Sequence, residues 1–361
     1  MSRLVAKSGI QKIQPHMTAL PPGFSSQTIK LSSNESPFGP SPAVKKAALN
    51  AATHMERYAE QGTGDLQQAI GETFGLDPER IVCGPGSDEL LSRLCRAYLG
   101  AGDELIFSAN GYAKFGNYAL ANDAIPIKAP DQDFTVSVDS ILKLVTDNTR
   151  VITIANPDNP TGTCVSGADI RRLHSNLPEN ILLVLDSAYL EYVDSSDFEN
   201  PAALVDQFDN VVMTRTFSKI YGLAGLRLGW LYGSADVVDV MKRIATTFPI
   251  SNIALDCGIA AVNDTAYCHS IFSKNRSLKT ALEERATHFG LNFIPSQTNF
   301  MLLEFSDSAH SAEAAAEALW QQGIMVRRFP SPAMNNYIRV SMGNQQEMVK
   351  FYSTLQSFLQ H

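Results

Sequence analysis

Short apolar runs punctuate the middle of the chain. RIVCG, ELIFSA, AIPIKA, RVITIA, ILLVLD, NVVMTR and LRLGWLY, all between residues 80 and 232, are rich in β-branched and aromatic residues, and each has the length of a strand. Stretches of helical pattern such as DELLSRLCRAYL and SGADIRRLHSNL separate several of them. Strands alternating with helices predict a doubly wound, mostly parallel sheet. The runs are also apolar almost throughout, where a sheet with one wet face would alternate, so helices are expected on both faces.

Ahead of this series, PAVKKAALNAATHM is Ala-rich without internal Gly or Pro, and GDLQQAIGETFG has apolar positions near helical spacing. Both read as helices. The first three dozen residues mix Pro, Ser and Gly (Pro21, Pro22, Gly23, then Ser36 to Pro42) without a sustained period, which predicts an extended arm. Near residue 255 the rhythm changes. A long helical region through KNRSLKTALEERATHFG leads to FMLLEF, the helix-like AHSAEAAAEALWQQ, IMVRRF, YIRVSMG and a terminal helix, QQEMVKFYSTLQSFLQ. This is an α+β unit of about a hundred residues, within the usual domain range. The expected organisation is an arm over 1–36, a large sheet domain over 37–255 and a smaller domain over 256–361.

Of the 361 residues, 44% are hydrophobic and 18% charged, which excludes a disordered or collagen-like chain. With 29 Lys plus Arg against 37 Asp plus Glu, the formal charge is −8. That balance argues against a nucleic-acid partner while leaving room for local basic pockets. No apolar run approaches the roughly 18 residues of a membrane span, and MSRLVAKSGIQKIQPH lacks the apolar centre of a secretory signal, so no membrane partner and a cytoplasmic location are expected. Cys83, Cys95, Cys164, Cys257 and Cys268 are scattered without a CxxC pair. They read as small core residues, not as a disulfide framework or a metal site.

Four segments could carry chemistry. GPGSDELL follows a strand and opens a helix, so free N–H groups at Gly86, Ser87 and Asp88 would favour an anion. Alone this is weak, because a glycine turn with a Ser or Asp cap is common. NPDNPTG leaves RVITIA at its carboxyl end, where ligands of open α/β sheets gather. Its prolines would hold the Asn159 amide ready for a ligand, although an Asn-Pro turn is the plainer reading. ILLVLD ends in Asp186, a carboxylate at the sheet rim that is costly there unless a positive partner waits. A helix cap is the better explanation of that residue taken singly. In TRTFSKIYGLAGLRLGW, Thr216, Ser218 and Arg227 would suit a phosphate. Lys219 could lose its proton and attack a carbonyl, though most lysines are solvated surface residues.

Competing motifs are poor. GTGDLQ lacks the third glycine and the preceding strand of a dinucleotide site, and no GxxxxGK[ST], HExxH or GxSxG occurs. SILK matches S-x-x-K by chance, without SDN or KTG.

Taken in order, IKLSSNESPFGPSP, ERYAEQGTGDLQQAI, GPGSDELL, NPDNPTG, LDSAY, RTFSKIYGLAGLRLGW and YIRVSMG resemble the fold-type I pyridoxal-phosphate aminotransferases, within them the histidinol-phosphate aminotransferase subfamily. The segments span residues 29 to 343. NESPFGPSP and RTFSK..GLAGLR carry most of the subfamily resemblance. It implies the aspartate-aminotransferase-like fold and pyridoxal 5'-phosphate as cofactor. Lys219 would bond the cofactor and shuttle a proton between the substrate α-carbon and cofactor C4′, and Asp186 would keep the pyridine nitrogen protonated. Asn159 and Tyr189 would bond the ring 3-oxygen, and Tyr112 would stack on the ring, with Phe115 as the alternative contact because NGYAKF departs from the usual pattern. Gly86, Ser87, Asp88, Thr216, Ser218 and Arg227 fall where the family holds the phosphate. Ser36 stands where Asn is common.

Tyr58 matches a tyrosine that the family lends to a neighbouring subunit, which implies a homodimer. Arg339 matches the arginine that clamps the substrate carboxylate. With Arg327 it could take the phosphate of histidinol phosphate; Arg327 and Arg328 would diverge on a strand, so one of them faces the site. The leading expectation is transfer of an amino group between glutamate/2-oxoglutarate and histidinol phosphate/imidazole-acetol phosphate. An aromatic amino acid aminotransferase and a threonine-phosphate-type decarboxylase on the same scaffold are the alternatives. A non-enzymatic module that keeps the cofactor fold fits poorly with Lys219, Asp186 and Arg339 all in place.

Overall fold

The computed structural model describes residues 4–15, 23–59, 62–306, 310–329 and 331–360; Pro21 and Pro22 of the expected arm lie outside them. The arm supplies β1 (Ile29–Lys30). Seven strands follow: β2 (Ile81–Gly84), β3 (Glu104–Ser108), β4 (Ile125–Ala129), β5 (Thr149–Ala155), β6 (Leu182–Asp186), β7 (Val211–Thr216) and β8 (Gly229–Tyr232). They form one sheet in the order β2-β8-β7-β6-β5-β3-β4. The neighbours from β7 to β4 run parallel, and β8 is antiparallel to both β2 and β7. Each apolar run between residues 80 and 232 is one of these strands. β4 lies at an edge, where Pro126, which has no N–H to give a ladder, is tolerated.

Both faces of this sheet are covered. Ile152, Ile154, Leu183, Leu185, Val211 and Met213 enter one core cluster, while Val151, Leu182, Val184 and Val212 enter another. Alternate residues therefore meet different helix layers, which is why the strands show no polar alternation. Among the described residues, no helix is long and apolar enough to cross a membrane.

The C-terminal part adds β9 (Phe293–Ile294), β10 (Phe300–Glu304), β11 (Ile324–Met325), β12 (Arg327–Arg328) and β13 (Tyr337–Ser341). β12-β13-β10-β9 is an antiparallel sheet. It packs through Met301, Leu303, Ile338 and Val340 against Leu319, Phe351 and Leu355 of the helices Ala312–Gln321 and Gln345–Leu359. The last helix starts with a reciprocal cap between Asn344 and Glu347, which satisfies two of its free N–H groups.

Three expectations need correction. The arm is not merely extended: Ser8–Lys12 is a helix whose Gly9 N–H bonds Asp123 Oδ1 at 2.8 Å, and β1 pairs in parallel with β11. Burial of Leu31 in the C-terminal core holds that short pairing in place. IMVRRF is not one strand. It breaks at Val326, with β11 joining the arm and β12 joining β13, a change of partner that a continuous apolar run cannot reveal. The division expected after residue 255 falls inside the helix Asn252–Asn263, which packs on helices Pro42–Ala51 and Gly64–Phe74. The change of core occurs along the next helix, Thr265–His288: Ile271 belongs to the large-sheet cluster, Leu282 and Ala286 to the C-terminal one.

Candidate active site

Parallel strands deliver their chemistry at one edge. Asp186 ends β6, Thr216 ends β7, and the turn from Asn156 to Gly162 leaves β5. Asp186 is buried and accepts a hydrogen bond from Thr214 Oγ1 at 3.0 Å. Burial raises its carboxyl to about 6, against the lowering effects of the Thr214 hydroxyl, the Lys219 charge and the Ala188 N–H. Its hydrogen-bond partners are neutral, so a cation brought against it would be strongly favoured.

Lys219 is half-buried after β7, with Nζ 3.5 Å from Ser33 O and 5.5 Å from the centre of the Tyr189 ring. Just before it, Thr216 Oγ1 donates to Ser218 Oγ at 3.0 Å and accepts the Ser218 N–H at 3.1 Å. Both hydroxyls sit at the mouth of the sheet.

Gly86 precedes the helix Ser87–Tyr98 with φ +95°. A Cβ there would lie 2.6 Å from Arg227 Nη2, so the missing side chain is what lets the guanidinium reach the helix N-terminus. Arg227 is exposed, and its Nη1 donates to Ala224 O at 3.0 Å. Exposed donors, a helix start and two nearby hydroxyls suit an anion.

The side chain of Asp88 has partners of its own, separate from its backbone N–H. Its Oδ1 accepts from Tyr112 at 2.8 Å and from Tyr118 at 2.6 Å, so the carboxylate anchors two phenols instead of facing an anion it would repel. Burial, then the Asp88 charge, pushes both phenols well above their usual range. Phe115 is a core residue, edge-on to Tyr112 at 5.5 Å, and not an alternative face for a ring.

Arg339, on β13, connects the C-terminal sheet to the large one. It donates Nη1–H to Asn159 Oδ1 and Nη2–H to Ser32 O at 2.7 Å. With its oxygen taken, Asn159 has its NH2 end left for a ligand oxygen. Arg339 stacks on Phe300 at 5.1 Å and Phe329 at 5.7 Å, and its Nε is buried without a partner. Burial, with Arg327 adding to it, pulls its pKa down to about 10. Arg327 stands opposite Arg339 in the β12–β13 register, while Arg328 turns away to Glu313 at 2.9 Å.

Asn34 is the residue that sequence reasoning passed over. Buried at φ +58°, it donates Nδ2–H to Tyr189 OH at 2.9 Å, gives its N–H to Ser341 Oγ at 2.9 Å and takes the Ser341 hydroxyl on Oδ1 at 2.8 Å. The signal was present in SSNESP, because Asn is among the few residues that accept a left-handed backbone. Tyr118, the second anchor of Asp88, was hidden among core aromatics. Tyr58 stands apart from all these groups: it is 72% exposed and stacked on Phe248 at 4.6 Å.

The family profile described as aminotransferase class I and II matches residues 26–355. A histidinol-phosphate aminotransferase of Granulibacter bethesdensis is 41% identical over 99% of this chain and 97% of its own. One from Paramagnetospirillum magneticum is 43% identical over 92% of each. Among solved structures, histidinol-phosphate aminotransferase from Sinorhizobium meliloti in complex with pyridoxal-5'-phosphate is 30% identical with a TM-score of 0.88, covering 92% of this chain and 91% of that one. An aspartate aminotransferase mutant from Thermus thermophilus, 20% identical with a TM-score of 0.86 over 99% of this chain and all of its own, shares the fold.

Proposed function

The chain belongs to the class I and II aminotransferases, and from that premise we propose that it is a pyridoxal 5'-phosphate enzyme exchanging an amino group between glutamate and the keto partner of histidinol phosphate. The residues fit that coenzyme. A buried carboxyl already raised to about 6 waits for a cation at Asp186, an amine stands near it at Lys219, and a side chain missing at Gly86 opens the anion seat to Arg227. When bound, the coenzyme supplies an electron sink for the carbanion at the substrate α-carbon.

The protein's own groups would divide the remaining work. Asp186 would keep the ring nitrogen protonated. Asn159 Nδ2 and the Tyr189 hydroxyl would hold the ring 3-oxygen, and Tyr112, anchored through Asp88, would cover the ring. The Gly86, Ser87 and Asp88 N–H groups, Thr216, Ser218 and Arg227 would hold the phosphate. Lys219 would bond the aldehyde carbon of the coenzyme, and its amine would move the proton at the substrate α-carbon.

One observation carries the substrate assignment: two guanidinium groups, Arg327 and Arg339, share one face of the C-terminal sheet. A single arginine suffices for the glutamate carboxylate, whereas a phosphate dianion draws on both. The relatives named as histidinol-phosphate aminotransferases support the same choice. The proposal includes a cytoplasmic homodimer with Tyr58 reaching the neighbouring phosphate, supported by the exposure of Met55, Tyr58 and Phe248 together, and two domains that part along the helix Thr265–His288. The test is a substrate panel of histidinol phosphate, phenylalanine, tyrosine and phosphothreonine with 2-oxoglutarate. Preference for the first supports the proposal; preference for an aromatic amino acid, or release of carbon dioxide from phosphothreonine, rejects it.

A further inference from the structure

Ser296 to Phe300 forms a seam between the candidate site's separate pieces. Gln297 donates its N–H to Gly162 O at 2.8 Å. The absent side chain of Gly162 admits Ser296, since a Cβ there would sit 2.4 Å from Ser296 Oγ. Gly162 closes the turn that bears Asn159. Asn299 Nδ2 donates to Asn34 O at 3.0 Å, and Asn34 in turn holds Tyr189. Phe300 lies under Arg339 and 5.2 Å edge-on from Tyr189. The helix Thr265–His288 grips this stretch from behind, through Asn275 Nδ2 to Thr298 O at 3.2 Å and Lys279 Nζ to Ser296 O.

Lys279 is the unexpected member. It is 6% exposed, and its hydrogen bond runs to one neutral carbonyl. The charges of Asp194 and Glu283 and the Cys164 thiol favour its ammonium form; burial and Arg276 oppose it, and the net shift is downward. Among the described residues no carboxylate forms an ion pair with it, and a buried cation so placed costs stability where an apolar chain of the same length would pack. Stability therefore does not explain the residue.

We propose that Lys279 is a positioning residue: by holding the Ser296 carbonyl it seats the 296–300 stretch against the Gly162 turn and the Asn34 segment, and so sets Asn159, Tyr189 and Arg339 relative to one another. The proposal rests on the site reading given above.

The test uses the full chain with Lys279→Met and Lys279→Gln. It measures the unfolding midpoint in denaturant, coenzyme affinity by absorbance titration of the apoprotein, and kcat and KM separately. Lys279→Met is expected to unfold at the same or a higher midpoint, yet to bind coenzyme about tenfold more weakly and lose about tenfold to a hundredfold in kcat/KM. Lys279→Gln, which keeps an N–H donor without the charge, recovers most of that loss. A lowered midpoint with unchanged binding and turnover overturns the proposal, as does a Met variant matching wild type throughout. Should Lys279→Met not fold, Asn275→Leu releases Thr298 O from the same helix; weaker coenzyme binding supports the proposal and unchanged binding overturns it. Wild-type protein that takes up no coenzyme refutes the site reading itself, whereas active wild type with unaffected variants refutes only the positioning role.

Discussion

Arg327 faces Arg339 directly across the antiparallel pair β12–β13. Two like charges in that register are unfavourable by themselves, and here the Arg327 charge adds to burial in lowering the pKa of Arg339. The arrangement makes sense if an anion with more than one charge settles between them.

Arg327→Met should therefore reduce kcat/KM for histidinol phosphate by about tenfold to a hundredfold, the worth of one charged hydrogen bond, and leave the glutamate half-reaction nearly unchanged. Arg339→Lys should impair both substrates, since a lysine cannot reproduce the fork that reaches Asn159 and Ser32. Half-reaction kinetics with each amino donor check this. Equal losses in the Arg327 variant would count against the shared anion seat.

Asp186 predicts a pH signature in the coenzyme-free protein. Its folded pKa, about 6, lies above its ordinary value of 3.8. A group shifted in that direction stabilises the fold fully below its unfolded pKa, and the contribution is lost as pH rises through the folded one. Stability should thus fall by about 2 kcal/mol between pH 4 and pH 6, and about 3 kcal/mol in all once the pH is well above the folded pKa, on account of this group, and Asp186→Asn should lack that share of the slope. Asp158, raised to about 7 by burial and in part by the Asp186 charge, titrates in both proteins, so the difference between their denaturant curves reports Asp186 together with its coupling to Asp158. Parallel curves would contradict the assignment.

Gly86→Ala places a Cβ against the Arg227 guanidinium on a backbone at φ +95°. The conformation should cost about 1–3 kcal/mol of stability. Displacing one charged donor should also weaken coenzyme binding by about tenfold to a hundredfold. Absorbance titration of the apoprotein measures the second effect separately from the first.

Phe248→Asp puts a charge into the exposed stack with Tyr58. If this face joins two subunits, sedimentation should show a shift from dimer to monomer and coenzyme affinity should drop with it. A variant that stays dimeric with full affinity would remove Tyr58 from the proposed site.

Asn34→Gly keeps the left-handed backbone but removes the amide that bonds Tyr189 and Ser341. Leaving buried partners unpaired should cost about 1–3 kcal/mol for each, read as a lower thermal midpoint together with reduced turnover.

The alternation of apolar runs with helical stretches was enough to specify the seven-stranded sheet, because a strand buried on both faces and the amphipathic helix beside it each leave a local pattern. The turns at strand ends were legible for a similar reason: Gly86 and the prolines after Asn156 are backbone requirements written in residue type. Long-range pairings left no such trace. That the arm's Asn34 would hold Tyr189, 155 residues away, or that Asp88 would turn to two phenols, followed only from how the layers came together. The same holds for Arg327 and Arg328. Their adjacency implies that they diverge, but which one joins Arg339 depends on the register between β12 and β13, and register is set by packing across the sheet.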